Sequence, residues 1–145
     1  MIRFWIAVAG VAIGVSTLCA QTDPIAARKA LMKGNGDQSK IANDMFNGKR
    51  PFDLGAAKKA FATFAEAGEK APALFPDSSK TGGDTAALPA IWENKADFEA
   101  RLAKLARESK AAAEATKDFD SFKAQFGELR KNCGGCHKTY RKKET

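Results

Sequence analysis

The sequence predicts an all-α protein, an antiparallel four-helix bundle, on three observations. The chain is rich in alanine, lysine, glutamate and leucine and has few β-branched runs, a composition that favours helices. In four separate stretches, apolar residues recur at alternating spacings of three and four, the period of a helix with one buried face. Short links and one longer loop join these stretches, as in a bundle of neighbouring antiparallel helices.

The N-terminal segment is predicted to be absent from the mature protein. It has a positive residue at Arg3, an apolar run from Phe4 to Val15, and a cleavage region at residues 16–20, in which Leu18 is larger than the ideal small residue. This pattern is typical of a secretory signal peptide, which we place at residues 1–20, leaving one mature domain at residues 21–145. The apolar run is short for a bilayer span, so a membrane anchor is disfavoured.

The first helix is predicted over Pro24–Asn47. Asp23 suits the N-cap and Pro24 the first turn, whereas Gly48 favours an end after the helix. The Gly34-Asn35-Gly36 stretch should weaken the helix by roughly 1 kcal/mol per glycine. Either the helix breaks there or a bulky group approaches its backbone closely. The predicted inward stripe is Ala27, Leu31, Gly34, Gln38, Ile41 and Met45.

Two further helices are predicted on either side of the long loop 76–88. Asp53 caps a helix over Leu54–Ala71, and Pro89 opens a helix that extends to Thr116. The buried stripe of the first of these is Leu54, Ala57, Phe61, Phe64, Gly68 and Ala71. That of the second is Ile91, Phe98, Leu102, Leu105 and Ala112.

The fourth helix has the clearest pattern, and Asp118 is its predicted N-cap. Its stripe alternates by three and four along the whole helix: Phe119, Phe122, Phe126, Leu129, Cys133, Cys136 and Tyr140. The two cysteines therefore continue the buried face of the helix.

These cysteines belong to Cys133-Gly134-Gly135-Cys136-His137, the C-x-x-C-H pattern of a c-type haem attachment site. Two thiols on one helix face can add to the two vinyl groups of one porphyrin, and the adjacent imidazole can bind its iron. A structural zinc site needs about four ligands, but the chain offers one cysteine pair and one histidine. No βαβ pattern supports a thioredoxin-like site, and a disulfide would not require His137. We therefore predict one covalent haem c near the C-terminal helix.

The formal net charge is +7. For an exported protein, a basic surface argues for an acidic protein partner and against nucleic acid, and we expect no membrane contact after signal cleavage. The alternative is that the lysines only keep a helical surface soluble. A basic group surrounds the haem motif: Arg130, Lys131, Lys138, Arg141, Lys142 and Lys143.

The segment Cys133-x-x-Cys136-His137-x-x-Tyr140-Arg141, with Met32 preceded four residues earlier by Arg28, resembles the class II c-type cytochromes related to cytochrome c′. This resemblance implies a four-helix bundle, a periplasmic location and frequently a homodimer, without fixing the redox partner. In ordinary cytochrome c′ the first-helix residue facing the iron does not ligate, and small gases bind. In the low-spin branch that residue is a ligating methionine. This chain resembles that branch most, through Lys29-Ala30-Leu31-Met32-Lys33 and Leu74-Phe75-Pro76-Asp77-Ser78.

Met32 and Met45 are the methionines of the predicted mature chain. Met45 lies on the first helix's core stripe, whereas Met32 is offset by one residue, about 100° around the helix. With the resemblance, we predict that His137 and Met32 are the two iron ligands. Core packing of Met32 remains the alternative, with Lys29 or Lys33 as minor candidates.

With both axial positions filled, the iron has no open site, so the predicted function is one-electron transfer and not enzymatic catalysis. The alternative is a five-coordinate gas-binding protein of the cytochrome c′ type. Arg28 could pair with a haem propionate, pair with a carboxylate or face solvent. Tyr140 and Arg141 are predicted to brace the proximal side of the haem, although Tyr140 could equally be a core residue.

Overall fold

The computed structural model describes residues 23–143 and confirms the all-α four-helix bundle. The predicted signal peptide lies outside these residues. The helices are α1 Pro24–Phe46, α2 Leu54–Lys70, α3 Ala90–Glu93, α4 Lys95–Ala115 and α5 Phe119–Tyr140. Two 3₁₀ turns, Ala71–Leu74 and Asp77–Ser79, follow α2. Within residues 23–143 no helix combines the length and hydrophobicity needed to cross a membrane.

Helices α1, α2 and α5 begin at the predicted caps. The Asp23 carboxylate accepts a hydrogen bond from the backbone N–H of Ile25 at 2.9 Å, and the Asp53 carboxylate caps α2 in the same way. At the start of α5, Asp118 and Ser121 form a reciprocal capping box. These bonds satisfy backbone donors that a helix cannot satisfy internally, which explains why local sequence predicted the helix starts.

Two details of the predicted helices need correction. The predicted third helix is divided at Asn94, whose φ of −126° and ψ of 46° are not helical. The Asn94 side chain donates to the Ala90 carbonyl at 3.4 Å, a local bond that competes with helix continuation. Leu54 is 37% exposed and does not join the buried stripe. Of the two alternatives for the Gly34-Asn35-Gly36 stretch, a break in the helix is excluded, because α1 is continuous there.

The buried apolar residues form two clusters. The phenylalanine cluster contains Ala42, Met45, Ala57, Ala60, Phe61, Phe64, Ala112, Phe122, Phe126 and Leu129. The site cluster contains Ala71, Phe75, Ile91, Phe98, Leu102 and Tyr140. The α5 stripe contributes to both clusters, so this helix links them. Met45 is fully buried, which confirms its predicted role in the core.

Helices α2 and α4 meet at Gly68. A Cβ built on this glycine would lie 2.6 Å from the Leu102 carbonyl oxygen and 2.7 Å from the Ala106 nitrogen. Both contacts are to backbone atoms, which cannot rotate away as a side chain can. Glycine is therefore required for the two helix backbones to approach this closely.

The end of α5 is tied to the long loop. The Leu88 N–H donates to the Tyr140 carbonyl at 3.0 Å, and the Lys142 N–H donates to the Ala86 carbonyl at 2.8 Å. An isolated antiparallel bridge between Ala87 and Arg141 lies between these bonds. The loop thus covers the C-terminal end of the helix that carries the cysteines.

Candidate functional site

The Cys-x-x-Cys-His motif lies in the last three turns of α5. Cys133 and Cys136 are free and partly buried, and burial raises the pKa of both thiols. A Cβ on either Gly134 or Gly135 would meet nothing within 4 Å. The thiols are thus on the inner face of the helix, with open space beside the residues between them.

The imidazole of His137 follows directly after Cys136 and is exposed. Its pKa is lowered, first by desolvation from nearby protein atoms and second by the positive charge of Arg141. A lowered pKa favours the neutral imidazole, which is the form that binds a metal ion. His137 is therefore suited to act as an iron ligand.

Met32 on α1 reaches the same end of the bundle as the motif. It is partly buried and packs against the site cluster, as does Cys136 from α5. The Asn35 side-chain amide lies 3.9 Å from the Met32 sulfur. Met45 instead packs within the phenylalanine cluster, and its sulfur accepts a hydrogen bond from the Asp53 N–H at 3.4 Å. The fold therefore places Met32, and not Met45, beside the motif-bearing end of α5.

These groups fit a covalently attached haem. Two free thiols on one helix face, a neutral imidazole and a thioether form the donor set of a haem c with histidine and methionine ligands. Gly34 and Gly36 on α1 also face open space, and the Asn35 side-chain oxygen is buried without a hydrogen-bond partner in the described residues. Residues 23–143 hold no group of three or more His, Cys, Asp or Glu side chains that could hold a metal ion.

Arg28 is 4% exposed, which excludes the alternative that it faces solvent. Its guanidinium donates to the Leu74 carbonyl at 3.1 Å, to the Ser79 hydroxyl at 2.8 Å and carbonyl at 3.1 Å, and to the Thr85 hydroxyl at 2.8 Å. Among the described residues its hydrogen-bond acceptors are thus neutral oxygens and no carboxylate. A contact with a haem propionate stays a prediction.

Aromatic rings complete the surroundings of Arg28. Its guanidinium carbon lies 4.7 Å from the ring centre of Phe75 and 5.7 Å from that of Trp92. The Trp92 indole N–H in turn donates to the carbonyls of Phe75 and Pro76, each at 3.2 Å. Arg28 therefore anchors the loop after α2 to α1, one helical turn before Met32.

Tyr140 is buried, and its hydroxyl donates to the carboxylate of Asp97 on α4. Arg101 donates to the same carboxylate at 2.7 Å and to the Gly135 carbonyl at 3.3 Å. The four-residue spacing of Asp97 and Arg101 indicates an ion pair on one helix. Sequence analysis nevertheless missed both residues, because their partners on α5 are distant in the chain.

Arg141 lies just after α5, at the rim of a cavity of about 310 Å³. Within the described residues, the cavity carries lysine and arginine side chains and no carboxylate. Its lining is Gly134, His137, Lys138, Arg141, Lys142 and Lys143. Arg141 acts on the site through its charge, which contributes to the lowered pKa of His137. Direct contact of Arg141 or Tyr140 with a haem stays a prediction.

Comparison with known proteins matches residues 23–141 to the family model described as Cytochrome C′. A cytochrome c′ of Rhodopseudomonas palustris is 46% identical over 135 residues, covering 93% of this chain and 92% of that protein. A cytochrome c-556 of the same organism is 32% identical and covers 99% of both chains. The solved structure of cytochrome c′ from Rhodopseudomonas palustris, 47% identical, superposes with a TM-score of 0.83 over 86% of this chain and all of that one.

Proposed function

The chain belongs to the cytochrome c′ family, and we propose that it is an exported one-electron carrier whose haem iron is held between His137 and Met32. Proteins of this family carry covalently attached haem c with its iron, so haem c is the cofactor of this chain. When bound, that iron supplies a one-electron couple between its ferric and ferrous states. Cys133 and Cys136 would hold the group covalently.

The observation that carries this proposal is the shared packing of Met32 and Cys136 against the site cluster. It brings a thioether from α1 to the end of the bundle where α5 presents its thiols and imidazole. If sulfur and imidazole fill both axial positions, the iron has no open position for a substrate or gas. Electron transfer without substrate chemistry is then the remaining function, which makes the protein a carrier and not an enzyme.

Absorption spectra of the oxidised and reduced protein test the ligands directly. We expect a low-spin, six-coordinate haem in both states. Met32→Ala should convert the iron to mostly high spin and admit carbon monoxide. Met45→Ala is the matched control, because it should cost roughly 2–5 kcal/mol of stability through a buried cavity and leave the spectrum unchanged.

The alternative is a five-coordinate, gas-binding protein. It is favoured by the 46% identical relative, which is itself named a cytochrome c′. In that case Met32 would only shape the distal pocket. A wild-type protein that is already high spin and binds carbon monoxide or nitric oxide without hindrance would establish the alternative and exclude Met32 as a ligand.

Covalent attachment and export can be tested together by the intact mass of the protein purified from the periplasm. After acid–acetone extraction we expect residues 21–145 plus one haem. A mass equal to the bare polypeptide would refute attachment through Cys133 and Cys136. A retained N-terminal segment, or recovery from the cytoplasm, would refute export.

The redox partner is proposed to be an acidic protein that docks over the basic cavity beside His137. Lys138 and Lys143 at this cavity are exposed, whereas Lys131 is paired with Glu128 at 2.7 Å. The electron-transfer rate should therefore fall as salt rises, because salt screens exposed charges.

Lys138→Glu should lower the electron-transfer rate and flatten its salt dependence. The same reversal at Lys58, an exposed lysine on α2, should change the rate much less. Equal effects at the two positions would show that the lysines near the haem motif serve solubility and not partner docking. Sedimentation of the haem-loaded protein would test the homodimer that the family resemblance implies.

A further inference from the structure

The side-chain hydrogen bonds between α4 and α5 all lie near the C-terminal end of α5. In the described residues three such bonds join α4 to α5, and all three reach the segment 132–140. They run from Asn132 to Glu108 at 2.6 Å, from Arg101 to the Gly135 carbonyl at 3.3 Å, and from Tyr140 to Asp97. The segment held in this way contains both thiols and the proximal imidazole.

The same segment is where α5 is intrinsically weakest. Gly134 and Gly135 each lower helix stability by roughly 1 kcal/mol relative to alanine. The N-terminal half of α5 is held by the buried side chains of Phe122, Phe126 and Leu129 in the phenylalanine cluster. The hydrophobic effect is non-directional, whereas a hydrogen bond weakens steeply as its angle departs from linear.

Arg101 contacts the other groups that join α4 to the end of α5. Its guanidinium bonds the Asp97 carboxylate and the Gly135 carbonyl together, and it lies 5.4 Å from the ring centre of Tyr140. The Tyr140 ring also meets Phe98 edge to face, at 5.2 Å and 76°. The pKa of Asp97 is lowered by the hydrogen bond from Tyr140, the larger cause, and by the hydrogen bond from Arg101. The Asp97 carboxylate is therefore the charged acceptor of both bonds.

We infer that Asp97, Arg101 and Glu108 are positioning residues that fix the glycine-weakened turn of α5 against α4 and thereby set the orientation of the His137 imidazole. Gly135 and Tyr140 lie on either side of His137 in the sequence, so holding both restrains the tilt of the turn between them. The inference rests on the covalent haem and on His137 as its proximal ligand. It does not depend on Met32.

The test is Arg101→Leu in the haem-loaded protein. In the ferric state, the hyperfine-shifted NMR signals of the haem methyl groups report the orientation of the imidazole plane. We expect their pattern to change, with a several-fold rise in amide hydrogen exchange at residues 137–141. Arg101→Lys should restore these signals only in part, because one ammonium cannot reproduce the planar fork that bonds two acceptors.

Arg107→Leu is the control, because it makes the same change at an exposed position of α4, whereas Arg101 is half-buried. It should leave the methyl pattern and the exchange rates unchanged. If Arg101→Leu does not fold, Tyr140→Phe removes only the hydroxyl that donates to Asp97 and gives the same readout.

Two failures have different meanings. A lower melting temperature with an unchanged methyl pattern and unchanged exchange would show that the α4 contacts only stabilise the fold, which overturns the inference. A wild-type protein without any haem signals would instead refute the proposed function.

Discussion

The two buried clusters stabilise the bundle by different physical means. In the phenylalanine cluster, rings stack directly, and Phe122 and Phe126 lie 5.4 Å apart at an interplanar angle of 9°. Around the site cluster, charged side chains such as Arg28 and Arg101 add directional bonds to the apolar contacts. Apolar burial supplies stability at both ends, whereas polar bonds at one end fix which atoms face each other. The comparison indicates that the relative positions of side chains are fixed most tightly at the end of the bundle where α1 and α5 carry the candidate iron ligands.

The largest loss of stability is expected from the phenylalanine cluster. Phe122 is fully buried, so Phe122→Ala should lower the free energy of unfolding by about 3–5 kcal/mol through lost burial and a cavity. Denaturant titration measures this loss. The haem spectrum of the molecules that remain folded should not change. A changed spin state would mean that the two clusters are coupled.

Arg28→Met should have a smaller effect on stability, about 2–3 kcal/mol, because it leaves the buried Ser79 hydroxyl and its neighbours without their donor. Unlike Phe122→Ala, it should also alter the haem spectrum, since Arg28 lies one turn before Met32. Arg28→Lys should not restore the wild-type properties, because one ammonium cannot replace a planar guanidinium fork. Normal haem spectra in both Arg28 variants would contradict the idea that the hydrogen bonds of Arg28 hold Met32 in position.

Gly68→Ala should cost about 1–3 kcal/mol, because its Cβ would collide with the backbone of α4. This loss should appear although alanine is the better helix former. Gly36→Ala is the control, since its Cβ would meet nothing within 4 Å, and we expect a gain of up to about 1 kcal/mol. Thermal unfolding of the haem-loaded protein measures both. A loss at Gly36 would place the bound haem against that face of α1.

The smallest effect should be the pH dependence that comes from Asp97. Hydrogen bonds from Tyr140 and Arg101 lower its pKa in the folded protein, so the unfolded chain takes up this proton first on acidification. Its contribution is therefore complete above the unfolded pKa of about 3.9 and is lost as pH falls through the folded value. Asp97→Asn should reduce the loss of stability below about pH 4. Equal acid sensitivity in the two proteins would show that these bonds add nothing to stability.

The helices and the motif could be predicted because their signals are local. The caps at Asp23, Asp53 and Asp118 lie next to the turns that they satisfy, and the α5 stripe repeats without interruption into the cysteines. The break at Asn94 was missed because apolar residues keep their period across it. The short helix ends where the Asn94 backbone leaves helical geometry, and the Asn94 side chain donates to the Ala90 carbonyl there.

The surroundings of the site could not be read from local patterns. Arg28 is buried by Ser79 and Thr85, which are 51 and 57 positions away along the chain. Arg101 reaches Gly135 over a separation of 34 positions. The sequence predicts that Arg28 and Arg101 lie on helices. Their hydrogen-bond partners depend on how the loop folds and how α4 packs on α5, which no local pattern shows.

The tie between the long loop and the end of α5 has a consequence for the order of folding. Lys142 contacts the Thr85 carbonyl 57 positions away, and the neighbouring backbone bonds span similar separations. Closing so long a segment costs entropy before its contacts form, so we expect this tie to form after the individual helices. Until then the final turns of α5 remain uncovered. The two thiols would therefore be accessible for haem attachment after α5 has formed and before the loop covers its end.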